Sequence, residues 1–440
     1  MSFKLFPHWV EKHNGIIAPD ERLPVGQTAL MGLQHAVSMF GATMLAPLLM
    51  GFDPNVAILM SGVGTLLFFL LTRGEVPSYL GSSFAFIAPV GAATGYKIAS
   101  FMPNPNMPVA LGGIIVCGLL YAAIGFLIKI IGHAWVEKIM PPVVTGSIVA
   151  VIGLNLASVA VMGAKGSNSN AWYMAMTVTC VAVMSVFTTG MLRRLLVLFG
   201  LLTSTLLYGI LVNGLGWRGD DGSGVKPIDF SKVKEAVWVG LPHFSTPTFD
   251  VTAMLVIVPV AVILVAENLG HLRAVQAITG REMDSKIGVA FMADGLATML
   301  SGAVGGTGVT TYAENIGVMA VTKIYSTLAF VFAGLFAILI GFSPKMGALI
   351  QTIPDPVMGG ISIVVFGLIA VTGAKIWVDH DVDFSQNKNL TVAAVTLIIG
   401  AGNFGLSIGD LKLDGMGVAT FAAVLLNALF KLAPKFDLFD

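Results

Sequence analysis

Few residues in this 440-residue chain could do chemistry, and those few stand in apolar surroundings. Glu267 and His271 are four apart in a helical stretch, so they share one face about a turn from each other. No charge occurs from Val251 to Ala266, which argues against a helix-end cap at Glu267. An ionisable group that far inside an apolar run is costly, and the default reading is functional: a ligand contact or a proton relay. Glu314 follows the glycine-rich run Gly306 to Tyr312, where it could cap a half-helix and bind a ligand as well. His35, beside Gln34 in the first apolar run, competes with the ordinary role of a membrane histidine that bridges helices. Asp294 lies about two turns into its own run, where a solvated or capping residue is the alternative to a proton-coupling one.

Several chemistries are open to such groups. A metal-dependent enzyme within the membrane would use Glu267, His271 and a third ligand, but H-E-x-x-H is missing and His35 and His271 are the only histidines in the apolar runs. Gly405-Leu406-Ser407-Ile408-Gly409 fits the nucleophile pattern G-x-S-x-G. Among 51 glycines that match is expected by chance, and no histidine is placed to activate the serine. Filter-like repeats of a channel are absent, and no lysine is followed by Ser or Thr, as a phosphate loop would need. An ion-coupled carrier remains. Two carboxylates without an opposing Arg or Lys disfavour an anionic cargo and suit a ligand that donates N–H groups. Backbone amides of the interrupted runs suit its carbonyl oxygens, and Phe84, Phe86 and Tyr312 could sandwich a flat ring. A planar, neutral, N–H-bearing heterocycle fits all of this.

The elements that must hold these groups are membrane helices. Apolar residues make up 56% of the chain and charged residues 11%, against about 25% charged in soluble proteins. Charge-free runs such as Leu23 to Phe52, Ile98 to Ile128 and Ile139 to Ala164 exceed the roughly 20 residues that cross a bilayer. Lys and Arg (24) balance Asp and Glu (24) without a basic block, so nucleic acid is not an expected partner. Cys117 and Cys180 sit in apolar runs and imply no disulfide, and the charged first 25 residues lack the apolar core of a cleavable signal.

Hydropathy places ordinary spans near 27–49, 54–72, 109–131, 140–162, 171–189, 193–215, 250–272, 287–304, 324–342, 355–375, 388–404 and 414–432. Two more stretches, Val76 to Ala93 and Gly302 to Thr322, are long enough to cross but too rich in Gly, Ser, Thr and Pro for unbroken helix. Counting both gives fourteen crossings and puts Lys12, Arg22, Arg73, Lys129, Lys138, Arg193, Arg194, Arg273, Arg281 and Lys286 on the cytoplasmic side, as basic residues prefer. Omitting both would reverse that bias. With Lys4, Lys323, Lys375, Lys388, Lys431 and Lys435 also inside, half of the basic residues left outside (Arg218, Lys226, Lys232 and Lys234) fall in one long polar connection, Trp217 to Asp250.

The chain also echoes itself. Pro142, Val143, Gly146, Gly153 and Leu154 recur 214 residues later in the run from Pro356, and Ile124-Gly125-Phe126 recurs at Ile340-Gly341-Phe342. Halves of seven crossings each must be inverted relative to one another, a pattern of secondary transporters. The two interrupted stretches are then third in each half, with short extended runs at Gly81-Ser82-Ser83-Phe84-Ala85-Phe86 and Gly306 to Tyr312. Paired broken segments point to a midplane site, because extended backbone survives at that depth only inside protein or along a cavity.

At these residues the chain resembles the nucleobase-ascorbate (xanthine/uracil permease) transporter family. The family signature stands here as Glu314-Asn315-Ile316-Gly317-Val318-Met319-Ala320-Val321-Thr322-Lys323, and its first-helix pair as Gln34-His35. Tyr79 to Phe86 and Ala266-Glu267-Asn268-Leu269-Gly270-His271 look like the bacterial uracil and pyrimidine permeases. The resemblance covers nearly the whole chain. It implies an all-α polytopic membrane protein that imports a pyrimidine nucleobase, uracil foremost, by proton symport, with a purine permease as the alternative. It needs no cofactor or metal, works in the cytoplasmic (inner) membrane of a bacterium with both termini inside, and allows a homodimer. It implies a cytoplasmic segment 1–26, a core domain of 27–132 and 250–342 that slides against a gate domain of 133–216 and 343–432, an extracytoplasmic linker 217–249 and a tail 433–440. Carried over residue by residue, Glu267 and Glu314 hydrogen-bond the base, while Phe84, Ala313, Tyr312 and Ser83 contribute backbone and packing contacts. His271, Glu267 and Asp294 couple protons, and Gln34, His35 and Asn315 support the site. Asn268 departs from the His of uracil permeases and Ala313 from their Gly, which narrows the pocket by about a methyl group.

Overall fold

The computed structural model describes residues 7–162, 167–190, 195–218, 225–409 and 411–432. Arg193, Arg194 and the tail 433–440 therefore lie outside the described residues. An N-terminal segment carries the short parallel strands β1 (Val10–Glu11) and β2 (Glu21–Arg22). The first half continues with α1 (Val25–Met50), α2 (Pro54–Leu71), β3 (Leu80–Ser82), α3 (Ile87–Thr94) and α4 (Met107–Ile131). It then runs through α5 (Ala134–Ile139), α6 (Pro142–Asn155), α7 (Ala157–Val161), α8 (Asn168–Phe187) and α9 (Leu196–Gly209). After a connection holding α10 (Ser231–Glu235) come α11 (Val251–Ile257), α12 (Val260–Thr279), α13 (Ile287–Val304), β4 (Val309–Thr311) and α14 (Ala313–Thr322). Last are α15 (Thr327–Gly341), α16 (Pro344–Ile350), α17 (Asp355–Asp379), α18 (Asn387–Ala401), the hairpin β5 (Leu406–Ile408) and β6 (Leu411–Leu413), and α19 (Gly415–Leu432).

Among the described residues, 10 helical stretches are long and apolar enough to cross a membrane, or 11 if α15 and α16, bent by 84°, form one. This is fewer than the twelve ordinary spans expected from hydropathy. The difference lies chiefly at 388–404, where α18 is only 15 residues long. Its chain turns off at Gly402 and Asn403, the latter at φ +49°, into the β5–β6 hairpin. The G-x-S-x-G match falls in that exposed hairpin, and the strand-to-helix elbow a nucleophile needs is not there. The two interrupted stretches are half strand and half helix, as their composition led one to expect.

Packing partners exchange as an inverted repeat requires. α4 lies against α13 as α15 lies against α2; α6 lies against α18 as α17 lies against α8; and α6 meets α17 directly. The echoed sequences are the ones that pack. A Cβ on Gly125 would meet Met292 N at 2.5 Å on α13, and one on Gly341 would meet the Leu59 backbone at 2.7 Å on α2. In the α6–α17 pair, a Cβ on Gly153 would meet Phe366 O at 2.2 Å and one on Gly373 would meet Ala150 N at 2.3 Å. Lipid offers apolar surface as good as another helix, so close approach over small residues supplies the contacts that hold such pairs.

Helix ends separate onto two faces. The long connection lies across one: Gly240 N donates to Phe342 O (2.9 Å), Ser245 N to Val304 O (3.1 Å) and Thr248 N to Pro108 O (2.8 Å). The N-terminal segment lies across the other, where Ile17 pairs with Ile324 and Trp9 Nε1 donates to Thr327 Oγ1 (3.0 Å). That second face also gathers the ion pairs, including Lys286–Glu75 at 2.7 Å and Arg273 with both Glu137 and Asp284. Lys431, in the last described turn, reaches the Lys138 carbonyl there as well.

Candidate functional site at the crossed strands

The two broken segments meet. β3 and β4 pair antiparallel with Leu80 opposite Thr311, Gly81 opposite Thr310 and Ser82 opposite Val309. Ser83 N→Gly308 O (2.9 Å) and Tyr312 N→Tyr79 O (3.2 Å) extend the ladder by a residue at each end. A two-stranded ladder leaves each strand one unpaired edge, which cannot stay empty inside a membrane protein. Threonines of equivalent helices fill it. Thr65 of α2 accepts from Leu80 N (2.9 Å), and Thr298 of α13 accepts from Val309 N (3.1 Å) and donates to Val309 O (3.0 Å).

The crossing is locked by aromatic rings laid over glycine. A Cβ on Gly81 would meet the Tyr312 ring at 2.5 Å, and one on Gly308 would meet the Phe86 ring at 2.2 Å. The Tyr312 hydroxyl also donates to Ser82 O (2.6 Å). Tyr312 and Phe86, proposed from sequence to sandwich a flat ligand, are thus engaged in holding the strands together. Phe84 is placed differently: its ring meets Phe366 of α17 edge-on, 5.7 Å between centroids at 80°. Ser83 is buried and its Oγ accepts from Ala85 N (3.3 Å), which caps the short turn Phe84–Phe86 ahead of α3.

From this crossing α14 departs with Ala313 as its first residue and Glu314 in its first turn, where free backbone N–H groups and the helix dipole favour an acceptor or anion. α12 brings Glu267 alongside. Glu267 and Glu314 are within electrostatic reach of each other, and the Thr310 hydroxyl lies beside Glu267. Glu267 Oε2 is buried without a hydrogen-bond partner among the described residues. An acceptor left open next to a second carboxylate invites a ligand that brings its own N–H donors.

Asn268 organises the same wall. Its Oδ1 accepts from Thr310 Oγ1 (3.2 Å), Thr311 N (3.3 Å) and Thr311 Oγ1, while Nδ2 donates to Tyr121 OH (2.7 Å) on α4. Because the Thr311 hydroxyl proton is committed to Asn268, His271 must be the donor in its 2.8 Å contact with Thr311 Oγ1. That sets the tautomer, with the proton on Nδ1 and Nε2 left as an acceptor. Asp294 is 1% exposed, and neither of its oxygens has a hydrogen-bond partner among the described residues. It is within electrostatic reach of Glu267 and of Tyr121, whose oxygen already accepts from Asn268. The reading of Asp294 as a solvated boundary residue is therefore corrected: its helix is packed on α4 along Gly118, Gly125, Gly288 and Gly295, which removes water from that face.

Gln34 and His35 join from α1. Asn315 Nδ2 donates to His35 Nδ1 (2.9 Å), and the imidazole lies 4.5 Å from the Phe330 ring of α15. Gln34 is buried, with Nε2 unpartnered among the described residues. Motifs 280 residues apart thus meet at one joint, the bridging role open to a membrane histidine. Three contributors escaped the sequence reading. Tyr121 and Phe366 look like any core aromatic in an apolar helix, and Asn268 was noted only as a departure from the family. Among the described residues no three His, Cys, Asp or Glu side chains converge to hold a metal ion.

The fold is that of a polytopic membrane protein with two paired half-strands, each continued by a helix, around the candidate site. A family model described as "Permease family", that of the xanthine/uracil permeases, matches residues 26–408. The chain belongs to this family of nucleobase-ascorbate transporters, whose members are permeases and not enzymes. RutG of Escherichia coli (strain K12), whose name describes a pyrimidine permease, is 61% identical over 428 residues, 96% of this chain and 95% of that protein. The uracil permease of Bacillus caldolyticus is 41% identical over 430 residues, and that of Escherichia coli (strain K12) 38% over 425; each match covers 94% of both chains. In fold, the transmembrane domain of the cyanobacterial bicarbonate transporter BicA matches with TM-score 0.61 at 15% identity, over 94% of this chain and 98% of that one. Murine Slc26a9, an anion transporter in the inward-facing state, matches with TM-score 0.67 at 11% identity, over 94% of this chain and 70% of that one.

Proposed function

We propose that this chain imports a pyrimidine nucleobase, uracil foremost, across a bacterial inner membrane together with protons. The observation that carries the proposal is the pair Glu267 and Glu314 at the strand crossing, with an open acceptor on Glu267 and helix N–H groups at the start of α14. A uracil ring presents N–H donors to the carboxylates and carbonyl oxygens to the backbone amides, and it needs no counter-charge. The names of the relatives, pyrimidine permease and uracil permease, support the same cargo. His271, Glu267 and Asp294 are the groups that would exchange protons: His271 is hydrogen-bonded through Thr311 and Asn268 to Tyr121, and Glu267 and Asp294 lie within electrostatic reach of Tyr121 and of each other.

The carrier makes fourteen crossings with both termini cytoplasmic. Its core domain (27–132 and 250–342) holds the site and slides against a gate domain (133–216 and 343–432), the linker 217–249 lying outside. Packing is closest within each set, α4 on α13 and α15 on α2 and α1 in one, α17 on α6 and α8 and α18 on α19 in the other, with lighter contact between the sets where α1 meets α9 and α12 meets α6, which supports this division. The Phe84–Phe366 contact then spans the sliding surface. A cavity of about 240 Å3 bounded by Leu269, Gly270, Thr145 and Ile376 opens between the domains one turn beyond Glu267, on the face where the N-terminal segment lies.

Uptake of labelled uracil, thymine and xanthine into proteoliposomes, with and without an imposed pH gradient, tests this reading. Uracil should accumulate only with the gradient and collapse with a protonophore. Accumulation that survives the protonophore but stops on sodium removal refutes proton coupling, and xanthine preferred over uracil moves the chain to the purine branch.

A further inference from the structure

Two neighbouring cavities on the side of the long connection differ sharply in chemistry. One, of about 480 Å3, is apolar and runs along α9 from Leu198 and on through the wider helical turn Ile210–Gly214 that continues it to Asn213, with Phe40 of α1 and Leu349 of α16 on its far wall. Those fifteen residue steps rise about 22 Å, more than one leaflet of the roughly 30 Å hydrocarbon core. The other, of about 540 Å3, is polar and is lined by Asn170, Tyr208, Lys226, Asp229, Lys232 and Asp355. Ile228 and Thr352 belong to the walls of both.

The join between them is built. Asn213 holds Ile228 at both backbone atoms, Nδ2 donating to Ile228 O and Oδ1 accepting from Ile228 N, each at 2.9 Å. Tyr208 OH donates to Lys226 O at 2.8 Å, so the connection is pinned to α9 above the groove. Asp229 accepts from Ser231 N and Oγ at 2.8 Å each and lies within electrostatic reach of Lys232 and Lys234, and Asp355 faces Lys226, so an anion here competes with these two carboxylates for the lysines. Lys226 and Lys232 remain exposed, and Asn170 Oδ1 is buried beside them with no hydrogen-bond partner among the described residues.

A ligand for both spaces needs a long apolar tail, an anionic group at the lysines and a hydroxyl donor for Asn170. We propose that the paired cavities bind an anionic glycerophospholipid of the surrounding bilayer, one acyl chain along α9 and the phosphate between Lys226 and Lys232. The groove lies where α9 meets α1, so on the core-and-gate reading above the lipid sits at the sliding surface. Its binding is nonetheless measurable without any nucleobase.

Native mass spectrometry of the purified full chain with phosphatidylglycerol or phosphatidylcholine tests the site. Phosphatidylglycerol should be retained more strongly, and Lys226→Glu with Lys232→Glu should lower its retention at least about tenfold while phosphatidylcholine changes little. Gly209→Leu, at a position where a Cβ meets only Ile228 Cδ1 at 3.5 Å, should lower retention of both. Phosphatidylglycerol carrying a photoactivatable acyl chain should label the α9 peptide of the unaltered protein, a readout independent of how the variants fold. Equal retention of the two lipids, retention untouched by the lysine changes, or labelling that spares α9 would each overturn the proposal.

Discussion

The helices around the crossed strands and those around the α6–α17 pair are built on opposite principles. Around the crossing, polar side chains reach between elements: Asn268 ties α12 to β4 and α4, Thr65 and Thr298 close the strand edges, and Asn315 ties α14 to α1. Asp294 is buried there with both oxygens unpaired, and half-buried Glu267 with Oε2 unpaired, among the described residues. Around α6–α17 the hydroxyls mostly turn back onto their own helices, as Ser147 does on Val143 O (2.6 Å), Ser362 on Met358 O (2.8 Å) and Thr396 on Val392 O (2.6 Å). Contact between those helices comes from glycine against backbone. One region therefore ties its elements through polar side chains that reach between them, and the other rests mainly on glycine against backbone, with Asn155 donating to Gly400 O (2.9 Å) and Trp377 Nε1 to Val143 O (3.3 Å) as cross-ties. On the proposed reading the first carries the site and the second belongs to the supporting unit.

Substitutions can break or sharpen the contrast. Glu267→Gln should have the largest effect, lowering uracil affinity by roughly ten- to hundredfold or more through loss of a charge-assisted hydrogen bond worth ~1.5–3 kcal/mol. Expression and melting temperature should hold, and calorimetric titration of the purified variant reads the loss. Asn268→Ala should reduce both affinity and stability, because Tyr121, Thr310 and Thr311 lose partners at ~1–3 kcal/mol for each group left unsatisfied. A melting curve alongside the titration separates the two losses. Gly153→Ala should do the reverse of Glu267→Gln. Its new methyl meets Phe366 O, so stability should fall by ~1–3 kcal/mol while the folded fraction binds uracil with unchanged affinity. The smallest change is Ala313→Gly at the start of α14. It should shift selectivity towards 5-substituted uracils by about tenfold or somewhat more, since one methyl-sized change in a pocket is worth ~1–3 kcal/mol. Competition with thymine measures it.

The sequence revealed most where physical rules are local. Apolar runs, the echo at Pro142 and Pro356 and the glycine-rich breaks at residues 81–86 and 306–312 located the helices and the two broken crossings. They also singled out Glu267, His271, Glu314 and His35, because an ionisable group among apolar residues is conspicuous. What stayed hidden depends on three-dimensional partners. Nothing at Tyr312 distinguishes a ring free to stack on a ligand from one laid over Gly81. Nothing around Asp294 shows that α4 covers it, since the close packing at Gly118 and Gly295 brings together residues far apart in the chain. The early end of α18 was missed for a related reason: apolar composition continues past Ala401, while the backbone turns at Gly402 and Asn403.

The central claim is that the nucleobase binds directly to the Glu267 carboxyl at the strand crossing. Infrared difference spectra of the purified protein with and without uracil read that contact through the carboxyl stretching bands. The account predicts that uracil perturbs a carboxyl band in the unaltered protein and that this change is missing in Glu267→Gln of equal thermal stability. An identical difference spectrum from both proteins, with uracil bound at equal affinity, would place the nucleobase elsewhere.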